Sequence, residues 1–282
     1  MKPREDFTVS LAAFDGHPLE TGVETVAALG VKLVEPALIQ GYTDPFDEDV
    51  FSEARARKIR RQFEMAGLSC SAFSAHIDVG APDGGEQLLS RLRFAAELGA
   101  QRVVTNAAKA EFRKTFIERI DELVREAESV GVLIALENPG DGQPNVIDNA
   151  ASASALMREY PTPWLGLNYD PGNLLTHQPH LDSVTDAMHL GPGLVSMHLK
   201  NALFNGERWR FTALNRGTID YESILAHTDT LSPAPDYSIE LPLRVSRAPG
   251  GKPYRDRDPV PISTIRTALE ESLQWLEEHR LR

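Results

Sequence analysis

The chain has 282 residues, of which 41% are hydrophobic and 25% are charged, with 20 glycines and 19 prolines. This is the composition of an ordinary globular protein, and it excludes a disordered chain, a collagen and a coiled coil. Lys and Arg number 29 against 41 Asp and Glu, and the resulting net charge of −12 would repel a nucleic-acid backbone. The single cysteine, Cys70, excludes an internal disulfide.

The sequence contains no run of roughly 18 uncharged apolar residues, which is the length that a transmembrane helix needs. The opening segment MKPREDFTVS lacks the apolar stretch of a secretory signal. We therefore expect a cytoplasmic protein that binds neither a membrane nor nucleic acid.

Short apolar runs rich in β-branched residues alternate with amphipathic stretches along the whole chain, which predicts strands alternating with helices. The predicted strands are 7–14, 31–38, 68–78, 102–107, 132–139, 165–173, 194–201 and 237–243. The stretches 113–130 and 262–279 carry apolar residues at the i, i+3, i+4 spacing of a helix that packs on a sheet. Four glycines stand shortly before predicted strands, where a left-handed residue ends a helix, namely Gly30, Gly67, Gly99 and Gly131.

Eight βα units in a chain of this length predict an α/β protein with a single (β/α)₈ barrel domain over residues 1–282. A doubly wound sheet would show fewer strands and a G-x-G-x-x-G turn, which the sequence lacks. The segment 244–261 is predicted to be a long loop that serves as a lid or a contact surface.

The loops after the strands build the functional site of such a barrel. Four consecutive predicted strands end in candidate metal ligands, which are Glu137, Asp170, His198 and Glu240. This oxygen-rich set with one imidazole suits Mn²⁺, Mg²⁺, Co²⁺ or Zn²⁺ better than copper or an iron–sulfur cluster. A cation would also neutralise three carboxylates crowded at one barrel mouth. Alternatively, each acid only caps the following helix, but four acceptable ligands on consecutive strands favour a metal site.

The strand ends ALENP, NYDPGN, SMHLKN and SIELP resemble those of the xylose isomerase-like barrel superfamily, in particular its sugar isomerase and epimerase branch. That branch includes D-tagatose 3-epimerases, hydroxypyruvate isomerases and inosose dehydratases. The resemblance covers nearly the whole chain. It implies one divalent metal ion, Mn²⁺ ahead of Mg²⁺, Co²⁺ or Zn²⁺, held by Glu137, Asp170, His198 and Glu240. It also implies that Glu137 and Glu240 move the proton.

Further polar residues near the strand ends are candidates for binding substrate hydroxyl groups. They are Glu35, His76, Asn106, Asn173, His177 and Lys200. Many epimerases carry a histidine three residues after the aspartate of strand six. Asn173 takes that position in this chain and His177 stands four residues further on, so His177 is either the replacement or a loop histidine.

The resemblance implies a metal-dependent sugar isomerase or epimerase, in which a glutamate removes a proton beside a polarised carbonyl and the metal stabilises the enediolate. Return of the proton gives an epimer or an aldose–ketose isomer. The alternative is a lyase or dehydratase that eliminates a β-oxygen from a keto sugar or an inosose.

Two further readings are less favoured. An endonuclease of the same barrel would need a larger metal cluster and a basic surface. A non-catalytic sugar-binding barrel would not need two glutamates for proton transfer. The expected partner is a small sugar or keto sugar, and related barrels often form dimers or tetramers, so a homo-oligomer or an accessory subunit stays open.

Overall fold

The computed structural model describes residues 3–279, which form thirteen strands and nine α-helices. The strands are β1 (Thr8–Ser10), β2 (Leu33–Glu35), β3 (Ser69–Cys70), β4 (Ala72–Ser74), β5 (Arg102–Asn106), β6 (Leu133–Glu137), β7 (Leu165–Tyr169), β8 (Leu194–Leu199), β9 (Asn201–Phe204), β10 (Trp209–Thr212), β11 (Asp236–Ile239), β12 (Val245–Arg247) and β13 (Pro253–Arg255). The helices are α1 (Leu19–Ala28), α2 (Glu53–Met65), α3 (Gly84–Leu98), α4 (Arg113–Val130), α5 (Ala150–Glu159), α6 (Pro171–His177), α7 (Ser183–Ala187), α8 (Tyr221–Thr228) and α9 (Ile262–His279).

Nine strands form one parallel sheet in the order β3-β2-β1-β11-β8-β7-β6-β5-β4. The two ends of this sheet, β3 and β4, follow each other in the chain and are separated only by Ser71. The Ser71 N–H donates to the Val34 carbonyl, and the Ser71 carbonyl accepts from the Gln101 N–H, so this residue bonds to the chain on both sides. The sheet therefore curls into a nearly closed barrel, and the predicted (β/α)₈ fold is confirmed.

All eight predicted barrel strands are present, although each is shorter than predicted and the third is split at Ser71. The helices predicted at 113–130 and 262–279 match α4 and α9. Gly99 and Gly131 end α3 and α4 with positive φ angles of 83° and 70°, as expected for left-handed residues. None of the helices within residues 3–279 combines the length and the apolarity that crossing a bilayer requires.

Side chains alternate in direction along each strand, so the buried residues form two layers, one under the helices and one inside the barrel. Val103 on β5 belongs to the large core that the helices cover, whereas its neighbour Val104 belongs to a small cluster with Ala72 and Ala135. Successive strand residues point to opposite faces, so this small cluster fills the barrel interior. Polar residues at every second position beyond it therefore also point into the barrel.

The prediction that 244–261 is one long loop was wrong over Val245–Arg247 and Pro253–Arg255, which are strands. The segment contains β12 and β13, which join β9 and β10 in a four-stranded antiparallel sheet of order β13-β12-β10-β9. Both short strands need a distant partner: Trp209 and Arg210 of β10 pair with Arg247 and Ser246 of β12. Because β9 follows β8 and β12 follows β11, this second sheet stands at the carboxyl end of the barrel.

Candidate active site

Strand register brings the predicted ligands to one level of the barrel. Glu137 at the end of β6 pairs with Asn106 of β5 and Asn168 of β7. His198 on β8 pairs with Ser238 of β11, and Glu240 follows two residues later on the same face. Polar side chains from neighbouring strands therefore converge inside the barrel at its carboxyl end.

His198 is the centre of this cluster and is fully buried. Its Nδ1 lies 2.5 Å from Glu137 Oε1 and 3.6 Å from Glu240 Oε2. Its Nε2 lies 2.8 Å from Glu35 Oε1, and Glu35 also accepts a 2.5 Å hydrogen bond from the Ser74 hydroxyl. Glu35 thus contacts the imidazole at Nε2, and Nδ1 faces the carboxylates of Glu137 and Glu240.

Lys200 bridges the remaining two acids of the predicted metal set. Its Nζ lies 2.6 Å from Asp170 Oδ2 and 2.5 Å from Glu240 Oε2, and the side chain is buried. The other oxygen of Asp170 accepts from the Asn173 N–H at 3.0 Å, as a helix cap does at the start of α6. Asp170 therefore caps a helix with one oxygen and presents the second oxygen to the cluster.

Three neutral or weakly basic side chains orient Glu137. Its Oε1 accepts from the Asn168 amide at 2.7 Å, and its Oε2 accepts from the Asn173 amide at 3.1 Å. The His76 Nε2 lies 3.2 Å from the same Oε2. These contacts fix both oxygens of the buried carboxylate.

Burial and charge act against each other on these groups. Burial alone would raise the pKa of Glu137 and Glu240, but attraction by His198 on Glu137, and mainly by Lys200 on Glu240, lowers both values, that of Glu240 to about 2. Burial outweighs the Lys200 attraction at Asp170 and raises its pKa to about 7. Burial opposes protonation of His198, but three surrounding carboxylates raise its pKa well above the usual value.

A cavity of about 250 Å³ opens above the cluster. Four of the six predicted substrate-binding residues line it, namely His76, Asn106, Asn173 and Lys200, together with Glu137 and Glu240. A larger cavity of about 380 Å³, beside the loop between β1 and α1, is lined by none of the candidate site residues. The smaller cavity is therefore the candidate active site, because it alone of these two combines space with convergent ionisable groups.

The structure does not bring Glu35 or His177 to this cavity. Glu35 contacts His198 Nε2 and is not among the residues that line the cavity. His177 is buried, with its Nε2 3.0 Å from Asp148 Oδ1, and its Nδ1 accepts from the Gly142 N–H at 3.0 Å. These bonds tie the loop after β6 to α6. The geometry therefore favours positioning and structural roles for these two residues over the predicted contact with substrate.

The cluster fits a divalent cation. Two groups of residues could each hold an ion, because within each group the ligand atoms lie within 4.8 Å of one another. One group is Glu137, Asp170 and His198, and the other is Glu35, His198 and Glu240. The buried His198 Nδ1 and Asp170 Oδ2 have close charged neighbours, Glu137 Oε1 at 2.5 Å and Lys200 Nζ at 2.6 Å, but neither contact has the geometry of a hydrogen bond. Buried polar atoms are rarely left so, and carboxylates with one imidazole are suitable ligands for a hard divalent ion.

A family model described as xylose isomerase-like TIM barrel matches residues 23–279. The chain belongs to this family. The resemblance inferred from the strand ends is confirmed. A search of the curated proteins found no match.

Solved structures of the same fold agree over nearly the whole chain. A D-psicose 3-epimerase crystallised with D-fructose has a TM-score of 0.72 at 14% identity, covering 96% of this chain and 98% of that chain. A xylose isomerase domain protein from Planctomyces limnophilus has a TM-score of 0.71 at 15% identity, with 99% and 98% covered. The probable 3-DHS dehydratase AsbF from Bacillus anthracis has a TM-score of 0.67 at 15% identity, with 96% and 98% covered.

Sequence reasoning missed further residues of this candidate site, among them Asn138, Tyr42 and Arg247. Asn138 exchanges two hydrogen bonds of 2.9 Å with the backbone of Asp170. Tyr42 and Arg247 line the cavity from the loop after β2 and from β12. The position of Asn138 directly after Glu137 was a usable signal, whereas Arg247 depends on a second sheet that the local pattern does not reveal.

Proposed function

We propose that the chain is a divalent-metal-dependent sugar isomerase or epimerase with Glu137 and Glu240 as its proton-transfer pair. The observation that carries the proposal is their placement: both glutamates are buried, both approach His198 Nδ1, and both line one cavity. The family and its epimerase neighbours support a small sugar or keto sugar as the substrate. The barrel and its second sheet would act together as one catalytic unit.

Glu137, Asp170, His198 and Glu240 would hold the metal ion. Once bound, the ion would polarise the substrate carbonyl and stabilise the negative charge that develops on its oxygen. Glu35 contributes by accepting from the imidazole, which fixes the ring so that Nδ1 faces the other three ligands. Mn²⁺ is our first candidate, with Mg²⁺, Co²⁺ and Zn²⁺ as alternatives.

The proton is moved by the two glutamates. The lowered pKa of each means that it is ionised at neutral pH and can accept a proton from the carbon beside a carbonyl. Asn168, Asn173 and His76 hold the Glu137 carboxylate in place, so little reorganisation precedes the transfer. For an epimerase, the other glutamate must first take up a proton from solvent, and its delivery from the opposite side would invert the carbon. For an isomerase, the first glutamate would return the proton that it removed to the neighbouring carbon.

The second candidate is a lyase or dehydratase, favoured by the structural similarity to a probable 3-DHS dehydratase. The first step would be the same removal of a carbon-bound proton. A β-oxygen would then leave as water after protonation, so the product would carry a double bond conjugated with the carbonyl. That product absorbs ultraviolet light, which separates the two candidates experimentally.

The test is hydrogen exchange in D₂O with protein that has been stripped with EDTA and reloaded with Mn²⁺. Ketoses and keto sugars are followed by NMR for deuterium uptake and by absorbance for an unsaturated product. Glu137→Gln and Glu240→Gln should each reduce exchange by about 100-fold or more. Glu118→Gln on the exposed face of α4 is the matched control. Near-normal exchange in either cavity variant would contradict the proton-transfer pair.

A further inference from the structure

Arg247, the last residue of β12, is buried without a partner for its charge. It is 4% exposed, and its Nε and Nη1 find no hydrogen-bond acceptor among residues 3–279. Burial lowers the pKa of this arginine to about 9, and no carboxylate of the described chain offsets that effect. A buried guanidinium without an anion is costly, so its retention requires an explanation.

The other buried arginines of the described chain differ from Arg247 in this respect. Arg91 pairs with Glu48 at 2.8 Å, Arg244 pairs with Asp15 at 3.1 Å, and Arg102 pairs with Asp236. The fold therefore supplies a carboxylate wherever an arginine is buried for structural reasons. Arg247 is the exception, and it is the one that lines the candidate active site.

The surroundings of Arg247 keep its guanidinium at the cavity wall. Its Cζ lies 5.1 Å from the centre of the Tyr42 ring, and the Tyr42 hydroxyl also lacks a hydrogen-bond partner within residues 3–279. A methyl group on Gly140 would overlap Arg247 Nη1 and would lie 2.8 Å from Asn173 Oδ1. The guanidinium therefore lies beside the Asn173 amide, which in turn donates to Glu137.

The cavity thus has two chemically different walls. Glu137, Glu240 and Lys200 form the wall of the proton-transfer pair, where Lys200 is already paired with acids. Arg247 and Tyr42 line another part of the cavity with unsatisfied donors, and the exposed Lys252 adds a positive charge to the same lining. A neutral sugar would leave the guanidinium charge uncompensated, whereas an anionic oxygen group would pair with it.

We propose that Arg247 binds an anionic group of the substrate, so that the substrate is a keto sugar bearing a carboxylate or a phosphate rather than a neutral sugar. This inference rests on the proposed function, because it assigns the substrate class of the same cavity. Tyr42 supplies a further hydrogen bond to the same group. Arg247 determines specificity through the end of the substrate that does not react.

The test is calorimetric binding of three matched ketoses to the Mn²⁺-loaded protein. D-fructose, D-fructuronate and D-fructose 6-phosphate differ only at C6, which is a hydroxymethyl group, a carboxylate or a phosphorylated hydroxymethyl group. The D-tagatose series is run in parallel to vary the stereochemistry. We expect one anionic class to bind about tenfold or more tightly than the neutral ketose. The preferred class identifies the group as a carboxylate or a phosphate.

Arg247→Gln should abolish this preference while leaving the metal content unchanged. Arg210→Gln is the matched control, because Arg210 lies on β10 of the same sheet and pairs with Asp256 outside the cavity. Equal binding of the neutral and anionic ketoses, or a preference that survives in Arg247→Gln, would overturn the inference alone. Failure of every ketose to bind wild-type protein would contradict the proposed function, and the inference with it.

Discussion

Glu35 and His198 are 163 positions apart in the sequence, and their side chains form a fully buried contact of 2.8 Å between Oε1 and Nε2. The contact fixes the plane of the imidazole and the direction of Nδ1. Glu35 does not line the cavity, so we expect its effect on a bound substrate to pass through His198. A substitution at Glu35 is therefore expected to change metal binding without changing substrate binding.

Glu35→Ala should weaken Mn²⁺ binding by about 10- to 100-fold, because an imidazole that loses its acceptor is no longer held in the ligating orientation. The KM of the fully metal-loaded variant should stay close to that of wild type. Metal titration and steady-state kinetics at saturating Mn²⁺ measure these two effects separately. Unchanged metal affinity with a raised KM would instead make Glu35 a substrate contact.

Lys200→Met should strengthen metal binding and destabilise the metal-free protein. The ammonium group now neutralises Asp170 and Glu240, so its removal leaves buried carboxylates that repel one another. The melting temperature without metal should fall, and the rise on adding Mn²⁺ should be larger than in wild type. A weaker metal response in the variant would mean that Lys200 supports the metal site rather than competing with the cation.

His177→Ala should lower the free energy of unfolding by about 1–3 kcal/mol. The reason is that Asp148 and the Gly142 N–H each lose the hydrogen bond to the buried His177 imidazole. The metal content and the KM at saturating metal should be unchanged, because His177 lies outside the cavity. Urea unfolding gives the stability change. A large KM effect without loss of stability would restore the substrate-contact interpretation.

Cys70 should not react with DTNB in the native protein at pH about 8. Burial raises the pKa of this thiol well above its usual value, and Glu35 nearby acts in the same direction. The thiol therefore stays protonated below its raised pKa, and the attacking thiolate does not form. One equivalent should react after denaturation in urea. Rapid labelling of native protein would show that β3 is open to solvent.

Arg247→Met should leave the melting temperature unchanged or raise it, because the substitution replaces an unpaired buried charge with an apolar side chain of similar length. Arg91→Met is the contrasting variant, because it removes the ion-pair partner of Glu48 and the contact with the Phe51 ring. Differential scanning calorimetry compares the two. A large loss of stability in Arg247→Met would indicate a structural role for this arginine.

The barrel was predictable because its signals are local. The helical stripe of 113–130 and the glycines that end helices depend only on neighbouring residues, and they match α4 and its terminal Gly131. The position of Glu137 at a strand end likewise follows from strand periodicity and barrel geometry. Its burial against His198 could be expected from the same pattern, although its role in proton transfer remains a proposal.

The remaining features depend on partners far away in the sequence. Strands β12 and β13 have three residues each and acquire their conformation by pairing, so their local pattern indicates only a loop. Whether a polar residue lines a cavity depends on its tertiary neighbours. The sequence pattern therefore cannot separate Glu35 and His177, which do not line the cavity, from His76 and Asn106, which do, and it does not identify Arg247.

The second sheet has a consequence for how the activity of this chain can diverge. The proposed proton-transfer groups belong to β6 and the segment after β11, whereas Arg247 and Lys252 belong to the hairpin of β12 and β13. This hairpin is a short, contiguous insert whose exchange would leave every barrel strand intact. A new substrate preference could thus be acquired by replacing one modular segment, without altering the residues that perform the reaction.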